Sequence, residues 1–345
     1  MSFVGVLTGG GDCPGLNAAI RAIVRGSVSR GYDVVGILHG WQGLVDGETL
    51  ALDRRAVAGI LPRGGTILGT SSYDPFREVG GVAAILETSR KLGLDGVVAI
   101  GGEGTLGVAH RLHAEHGYPV VGVPKTIDND LAGTDVTIGF DTAVHVCTEA
   151  LDRLHTTAES HNRVMVVEVM GRNTGWIAAA AGIAGGADVI LVPEVPSTIE
   201  EVCDHVRRRH DDGKDFSIVV VAEGYQLTRR SGEQEGPVVQ EVDEYGYARL
   251  GGIGGVVAGE IERLTGFETR VTVLGHVQRG GTPTARDRFL ATRLGLRAAE
   301  LAAAGAWGRM AAVRGNEISD CSLEEATLGR RSVPPGWIEA SRVVA

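Results

Sequence analysis

Residues 96–130 read GVVAIGGEGTLGVAHRLHAEHGYPVVGVPKTIDND. An apolar, β-branched run over 96–100 breaks at Gly101-Gly102. A helix-compatible stretch over 106–115 follows, then a second apolar run over 119–123. The order is strand, glycine turn, helix, strand. Runs without polar alternation suit strands covered on both faces, as in parallel sheets. In such sheets ligands sit beyond the carboxyl ends of the strands, so the residues after each strand carry the chemistry. Glu103 follows the first run, and Pro124-Lys125-Thr126-Ile127-Asp128-Asn129-Asp130 follows the second.

The same alternation extends in both directions. Further strands are expected over 3–7, 33–38, 164–169, 188–192, 217–222 and 270–274. Helical patterns run over 16–29, 82–92, 199–210 and 286–304. The chain has 345 residues, 43% of them hydrophobic and 22% charged, which is long for one core and predicts two domains. A polar stretch over 227–249 interrupts the pattern and reads as a surface excursion without a function. The apolar run over 176–192 is broken by glycines and Asp188, so it reads as helix, turn and strand rather than a membrane span.

A formal charge of −10, with no basic stripe, argues against a nucleic-acid partner. Cys13, Cys147, Cys203 and Cys321 lie far apart with no metal-ligand spacing. Reduced thiols in a cytoplasmic protein are the expectation. The start, MSFVGVLTGGGDCPG, is a strand entering a loop and carries no signal-peptide pattern.

Three loops offer phosphate chemistry. Gly9-Gly10-Gly11-Asp12-Cys13-Pro14-Gly15 precedes a helix, where free backbone N–H groups and close backbone approach favour an anion. It lacks the Lys of a P-loop, and the chain has no GxGxxG with a ribose-binding acid, which speaks against a dinucleotide-dependent dehydrogenase. Glu103 suits Mg²⁺ held against phosphate oxygens, or is a first-turn acid favoured by the helix dipole. Asp128 and Asp130 supply a base for a hydroxyl proton and a carboxylate near a metal, which phosphoryl transfer to an alcohol requires. Lys is scarce (Lys91, Lys125 and Lys214), so Lys125 inside the acidic loop stands out. Arg163, Arg172, Arg270 and Arg279 flank other strands, and guanidinium forks match phosphate oxygens.

These segments together resemble the phosphofructokinase family, in its actinobacterial form with GGEGT. The match runs through GGGDCPGLNAAIR, GGTILGT, GGEGT, PKTIDND, GFDTA, ESHNR, VEVMGR, PEVP, AEG and TRVTVLGHVQRGGTPTARDR, in order, over most of the chain. The resemblance implies two three-layer α/β/α Rossmann-like domains with the active site in the cleft between them. The phosphoryl-donor domain would comprise 1–140 with about 280–305. The sugar-phosphate domain would comprise 141–279 with about 306–345.

The implied activity is a glycolytic 6-phosphofructokinase, transferring the ATP γ-phosphate to the 1-hydroxyl of fructose 6-phosphate. Asp128 would take the hydroxyl proton, with Thr126, Asp130 and Lys125 beside it, and Glu103 would hold Mg²⁺. Gly11, Ser72, Phe76, Arg77, Gly102, Gly104 and Thr105 would face the donor. Met170, Gly171, Arg172, Glu223, His276 and Arg279 would bind the sugar phosphate. Arg163 and Arg270 would reach a neighbouring subunit's sugar phosphate, which implies a homo-oligomer, commonly a tetramer.

The donor positions point two ways. Gly104 leaves room for the α-phosphate and adenosine of ATP, whereas Lys125 is typical of pyrophosphate users. The expectation is ATP, with pyrophosphate as the alternative. Ser72 stands where the family usually has an Arg touching both phosphates, which leaves open a slow paralogue acting on another sugar phosphate, or a sensor.

Overall fold

In the computed structural model, which describes residues 2–242 and 248–344, the first strand, β1 (Ser2–Thr8), enters a glycine turn and then α1 (Leu16–Val28). β2 (Tyr32–Ile37), α2 (Trp41–Asp46), β3 (Thr49–Leu52) and α3 (Gly81–Lys91) follow. The quoted stretch then forms β4 (Leu94–Gly101), α4 (Glu103–His116) and β5 (Val120–Pro124). Next come α5 (Phe140–His161), β6 (Val164–Val169), α6 (Trp176–Ala184), β7 (Val189–Leu191), α7 (Ile199–Asp211) and β8 (Ser217–Ala222). Short strands β9 (Leu227–Thr228), β10 (Gln234–Glu235), β11 (Val239–Val242) and β12 (Ala248–Leu250) precede α8 (Ile253–Thr265) and β13 (Thr269–Val273). A 3₁₀ turn at Gly275–Arg279 leads to α9 (Ala285–Ala303), β14 (Arg309–Arg314), β15 (Glu317–Ser322), α10 (Leu323–Thr327) and α11 (Pro335–Val344).

The chain divides into two α/β units, Met1–Thr142 with Arg279–Arg331, and Ala143–Gln278 with Ser332–Ala345. The first is built on a seven-stranded sheet in the order β15-β14-β5-β4-β1-β2-β3. Its five inner strands are parallel, and β3 and β15 close the edges antiparallel. The second is built on four parallel strands in the order β13-β6-β8-β7. Both are Rossmann-like, and the inner strands β4, β5, β6 and β8 are buried along nearly their whole length, as the unbroken apolar runs require.

The returning segment of the first unit extends to Arg331 instead of ending near 305. β14 and β15 were not legible because RMAAVR has weak strand propensity and continues the Ala-rich pattern of α9. Burial decides instead. Met310, Ala311 and Ala312 are fully buried, and Asp320 on β15 pairs with Arg297 of α9 and Arg309 of β14. The polar stretch over 227–249 contains two small antiparallel ladders, β9–β10 and β11–β12. Residues 243–247 of it lie outside the described residues. The run over 176–192 is helix, turn and strand, and no described helix is long and apolar enough to cross a membrane.

Asp287 anchors α9. Thr284 caps the helix by accepting from the Asp287 N–H (3.2 Å). The Asp287 carboxylate accepts from the Gly139 N–H (3.0 Å), the Thr142 N–H (2.8 Å) and the Thr142 hydroxyl (2.5 Å). Burial pushes its pKa up to about 6.

Candidate active site

The glycine turn after β1 is held from both sides. A Cβ on Gly9 would stand 2.5 Å from the Thr105 Oγ1, and one on Gly101 would stand 2.3 Å from the Thr105 Cβ. Thr105 is buried, so its side chain occupies the space these two glycines leave. The Gly10 N–H donates to the Ser71 carbonyl (2.8 Å), and the Thr70 hydroxyl donates back to the Gly10 carbonyl (2.5 Å). From below, the Lys125 Nζ donates to the carbonyls of Gly9 (3.0 Å) and Gly11. Lys125 is only 2% exposed. Burial pushes its pKa down, and the nearby Arg279 charge adds to that.

Arg279 belongs to this first unit, where the resemblance had put it on the sugar side. Its Nη1 donates to the Asp12 carbonyl (3.3 Å) and lies where a Cβ on Gly11 would approach to 2.6 Å. Two cations therefore converge on Gly9–Asp12. Cys13 behind the turn is buried, and burial raises its thiol to about 12, so it is no nucleophile.

The acidic loop after β5 is folded on itself. The Asp128 N–H donates to the Thr126 Oγ1 (3.1 Å), and that hydroxyl donates to the Asp128 Oδ2 (3.3 Å). Asn129 takes a left-handed conformation (φ 52°), and its Oδ1 accepts from the Thr137 N–H (3.1 Å). Asp128 and Asp130 are both buried. Burial first, and the charges of Asp128 and Glu103 after it, push Asp130 up to about 6. The start of α4 lies against this loop, where a Cβ on Gly102 would stand in ordinary contact with the Lys125 carbonyl at 3.4 Å. Glu103 pairs with Arg330 through Oε2, at 3.2 Å from both Nε and Nη2. The Arg331 N–H donates to the Asp130 carbonyl (2.8 Å).

No group of three acidic, His or Cys side chains forms a metal cage among the described residues. Mg²⁺, however, is commonly bound through one or two carboxylates plus substrate phosphates. Glu103 and Asp130, tied to the adjacent residues Arg330 and Arg331, offer two such carboxylates.

The remaining donor-side residues are more dispersed. Gly104 is exposed in the first turn of α4. Ser72 is partly exposed in an irregular segment. Arg77 pairs with Asp74 at 3.5 Å. Phe76 packs against the core cluster around Leu106 and Leu112, and the Arg111 guanidinium lies 3.6 Å from its ring centroid.

In the second unit, Met170, Gly171, Arg172 and Glu223 come together at the carboxyl ends of β6 and β8. The buried Glu223 carboxylate accepts from the Arg172 N–H (2.9 Å) and the Gly171 N–H (3.3 Å). This fixes the turn in which Gly171 and Arg172 have φ of 145° and 51°. The fully buried Gln278 accepts from the Met170 N–H (3.1 Å) and carries the exposed His276 on its 3₁₀ turn. Arg163 and Arg270 stand elsewhere, at the amino ends of β6 and β13, where both pair with Glu268 at 2.8 and 2.5 Å. Sequence reasoning missed Gln278, Arg330 and Arg331. Gln278 lay inside a quoted motif. The two arginines had no signal beyond their adjacency.

The chain matches the family model described as Phosphofructokinase over residues 3–302. It is 54% identical over 340 residues to the Pyrophosphate--fructose 6-phosphate 1-phosphotransferase of Streptomyces coelicolor, covering 97% of each chain. It is 53% identical over 333 residues to the ATP-dependent 6-phosphofructokinase 3 of the same organism, covering 96% of each. The structure of phosphofructokinase from Saccharomyces cerevisiae superimposes with a TM-score of 0.82 at 33% identity, over 95% of this chain and 45% of that one. Sequence, fold and turn geometry agree, and the chain belongs to the phosphofructokinase family.

Proposed function

We propose that the protein transfers a phosphoryl group from pyrophosphate to the 1-hydroxyl of fructose 6-phosphate, giving fructose 1,6-bisphosphate and orthophosphate. The observation that carries the donor is Lys125, a buried cation seated under the carbonyls of Gly9 and Gly11. Arg279 adds a second positive charge on the same turn. A buried charge is costly, and a compact polyanion over the turn would offset that cost together with the nearby Asp12 and Asp128 carboxylates. Pyrophosphate concentrates its charge at that point, whereas ATP spreads it along a longer chain. The name of the 54% identical relative supports the same donor. This replaces the expectation of ATP, which rested on Gly104.

Asp128, oriented by Thr126, takes the hydroxyl proton as the oxygen attacks phosphorus in line. Glu103 and Asp130 would hold Mg²⁺, which neutralises phosphate oxygens when bound. Met170, Gly171, Arg172, Glu223 and His276 bind the sugar phosphate. Arg163 and Arg270, apart from that cluster, serve a neighbouring subunit of a homo-oligomer, a tetramer on this reading.

ATP is the second reading. The exposed, side-chain-free position 104 and the name of the 53% identical relative favour it. Lys125→Gly separates the two. On the pyrophosphate reading, kcat/KM with pyrophosphate falls by at least about tenfold more than with ATP, the scale of one charge-assisted hydrogen bond. Equal losses with both donors would remove Lys125 as the donor determinant.

A further inference from the structure

Glu103 already holds a cation. Among the described residues the partner of its carboxylate is Arg330, through two nitrogens at 3.2 Å. Both side chains are about half exposed, 53% for Glu103 and 43% for Arg330, so the pair adds little to stability and breaks easily. The backbone around Arg330 is fixed independently of that pair. Arg330 bridges Leu131 antiparallel, and the next residue donates its N–H to the Asp130 carbonyl. The guanidinium can therefore leave Glu103 while the tail stays stitched to the acidic loop. Arg330 is thus a tethered cation on Oε2 of Glu103, and a divalent ion drawn to that carboxylate competes with it. Ser72, the irregular-segment residue expected on the donor side, brings no charge.

We propose that Arg330 is an exchangeable counter-ion. It pairs with Glu103 while the donor is absent, and it turns to the donor's phosphate oxygens once a divalent cation occupies Glu103. This inference rests on the phosphoryl-transfer reading above. It has consequences of opposite sign. Removing the charge strengthens the binding of a free divalent cation, because a positive neighbour and a competitor are gone. The same change weakens the binding of the polyanionic donor, because a guanidinium fork is lost. A merely structural arginine would weaken both or neither.

The test uses the full-length protein, with Mn²⁺ as probe and its free fraction read by electron paramagnetic resonance. In Arg330→Gln the dissociation constant for Mn²⁺ alone falls about three- to tenfold, the scale of one charge a few ångströms away in a surface environment. With Mn²⁺ saturating, the dissociation constant for pyrophosphate rises about tenfold or more. Arg330→Lys, which keeps the charge without the fork, falls between wild type and Arg330→Gln in both assays and serves if the first variant melts early. Unchanged or weaker Mn²⁺ binding in Arg330→Gln overturns the proposal, as does donor binding that does not respond. The Mn²⁺ arm needs no donor. A wild-type protein that ignored pyrophosphate but bound ATP would defeat the donor assignment, and the Arg330 comparison would then be read with ATP.

Discussion

Asp128 is held in position by the residue two before it, which donates to its carboxylate and accepts from its N–H. A general base placed this way contributes about 10²–10⁴ in rate. Asp128→Asn should therefore lower kcat by that factor while the dissociation constant for fructose 6-phosphate, read by calorimetry, stays within about twofold, since no binding group is removed. A loss confined to KM would contradict the role. Lys125 has a structural effect as well. Lys125→Met leaves the Gly9 and Gly11 carbonyls without their buried donor and should cost about 1–3 kcal/mol in chemical denaturation. Both residues were legible because acid, lysine and threonine share one short loop after a strand. Arg330 was not, because its partner Glu103 lies 227 positions away and only the returning sheet brings the tail there.

α9 begins on a buried carboxylate, and that makes its attachment depend on pH. Asp287 moves from an ordinary value of 3.8 to about 6 in the folded chain because burial disfavours its charge. Between those values the native state keeps a proton that the unfolded chain has released. The contribution of Asp287 is therefore fully present below pH 4 and declines as pH rises to 6. At about 1.4 kcal/mol per unit, the decline is at most about 3 kcal/mol, a shift that already includes the opposing effect of the three donors to the ionised form. Asp287→Asn does not titrate there. The difference in melting temperature between wild type and this variant should shift against the wild type from pH 4 to pH 7, and a pH-independent difference would contradict it. At this scale the sequence was most readable where a β-branched apolar run was bounded by polar or glycine-containing turns, as in β4, β5, β6 and β8. It failed at β14, whose Ala-rich composition becomes a strand only because neighbouring strands bury it.

The whole chain is two Rossmann-like units, and the return of residues 279–331 to the first sheet is what delivers Arg279 and Arg330 to the donor-side loops. Chain length anticipated two domains, but local patterning could not set where the chain crosses for the last time, since that is fixed by strand pairing between distant segments. Arg163 and Arg270, both at the amino ends of their strands on Glu268, are surplus to the cluster around Glu223. On the proposed assembly, the mass in solution by light scattering is a multiple of 36.1 kDa, four on this account, and Arg270→Ala raises KM for the sugar phosphate without changing the melting temperature. A monomer with full activity would contradict that assembly. The central claim is the transfer of a phosphoryl group from pyrophosphate, and initial rates with fructose 6-phosphate and Mg²⁺, with each donor supplied alone, test it most directly. The account predicts turnover with pyrophosphate, and turnover with ATP alone would contradict it.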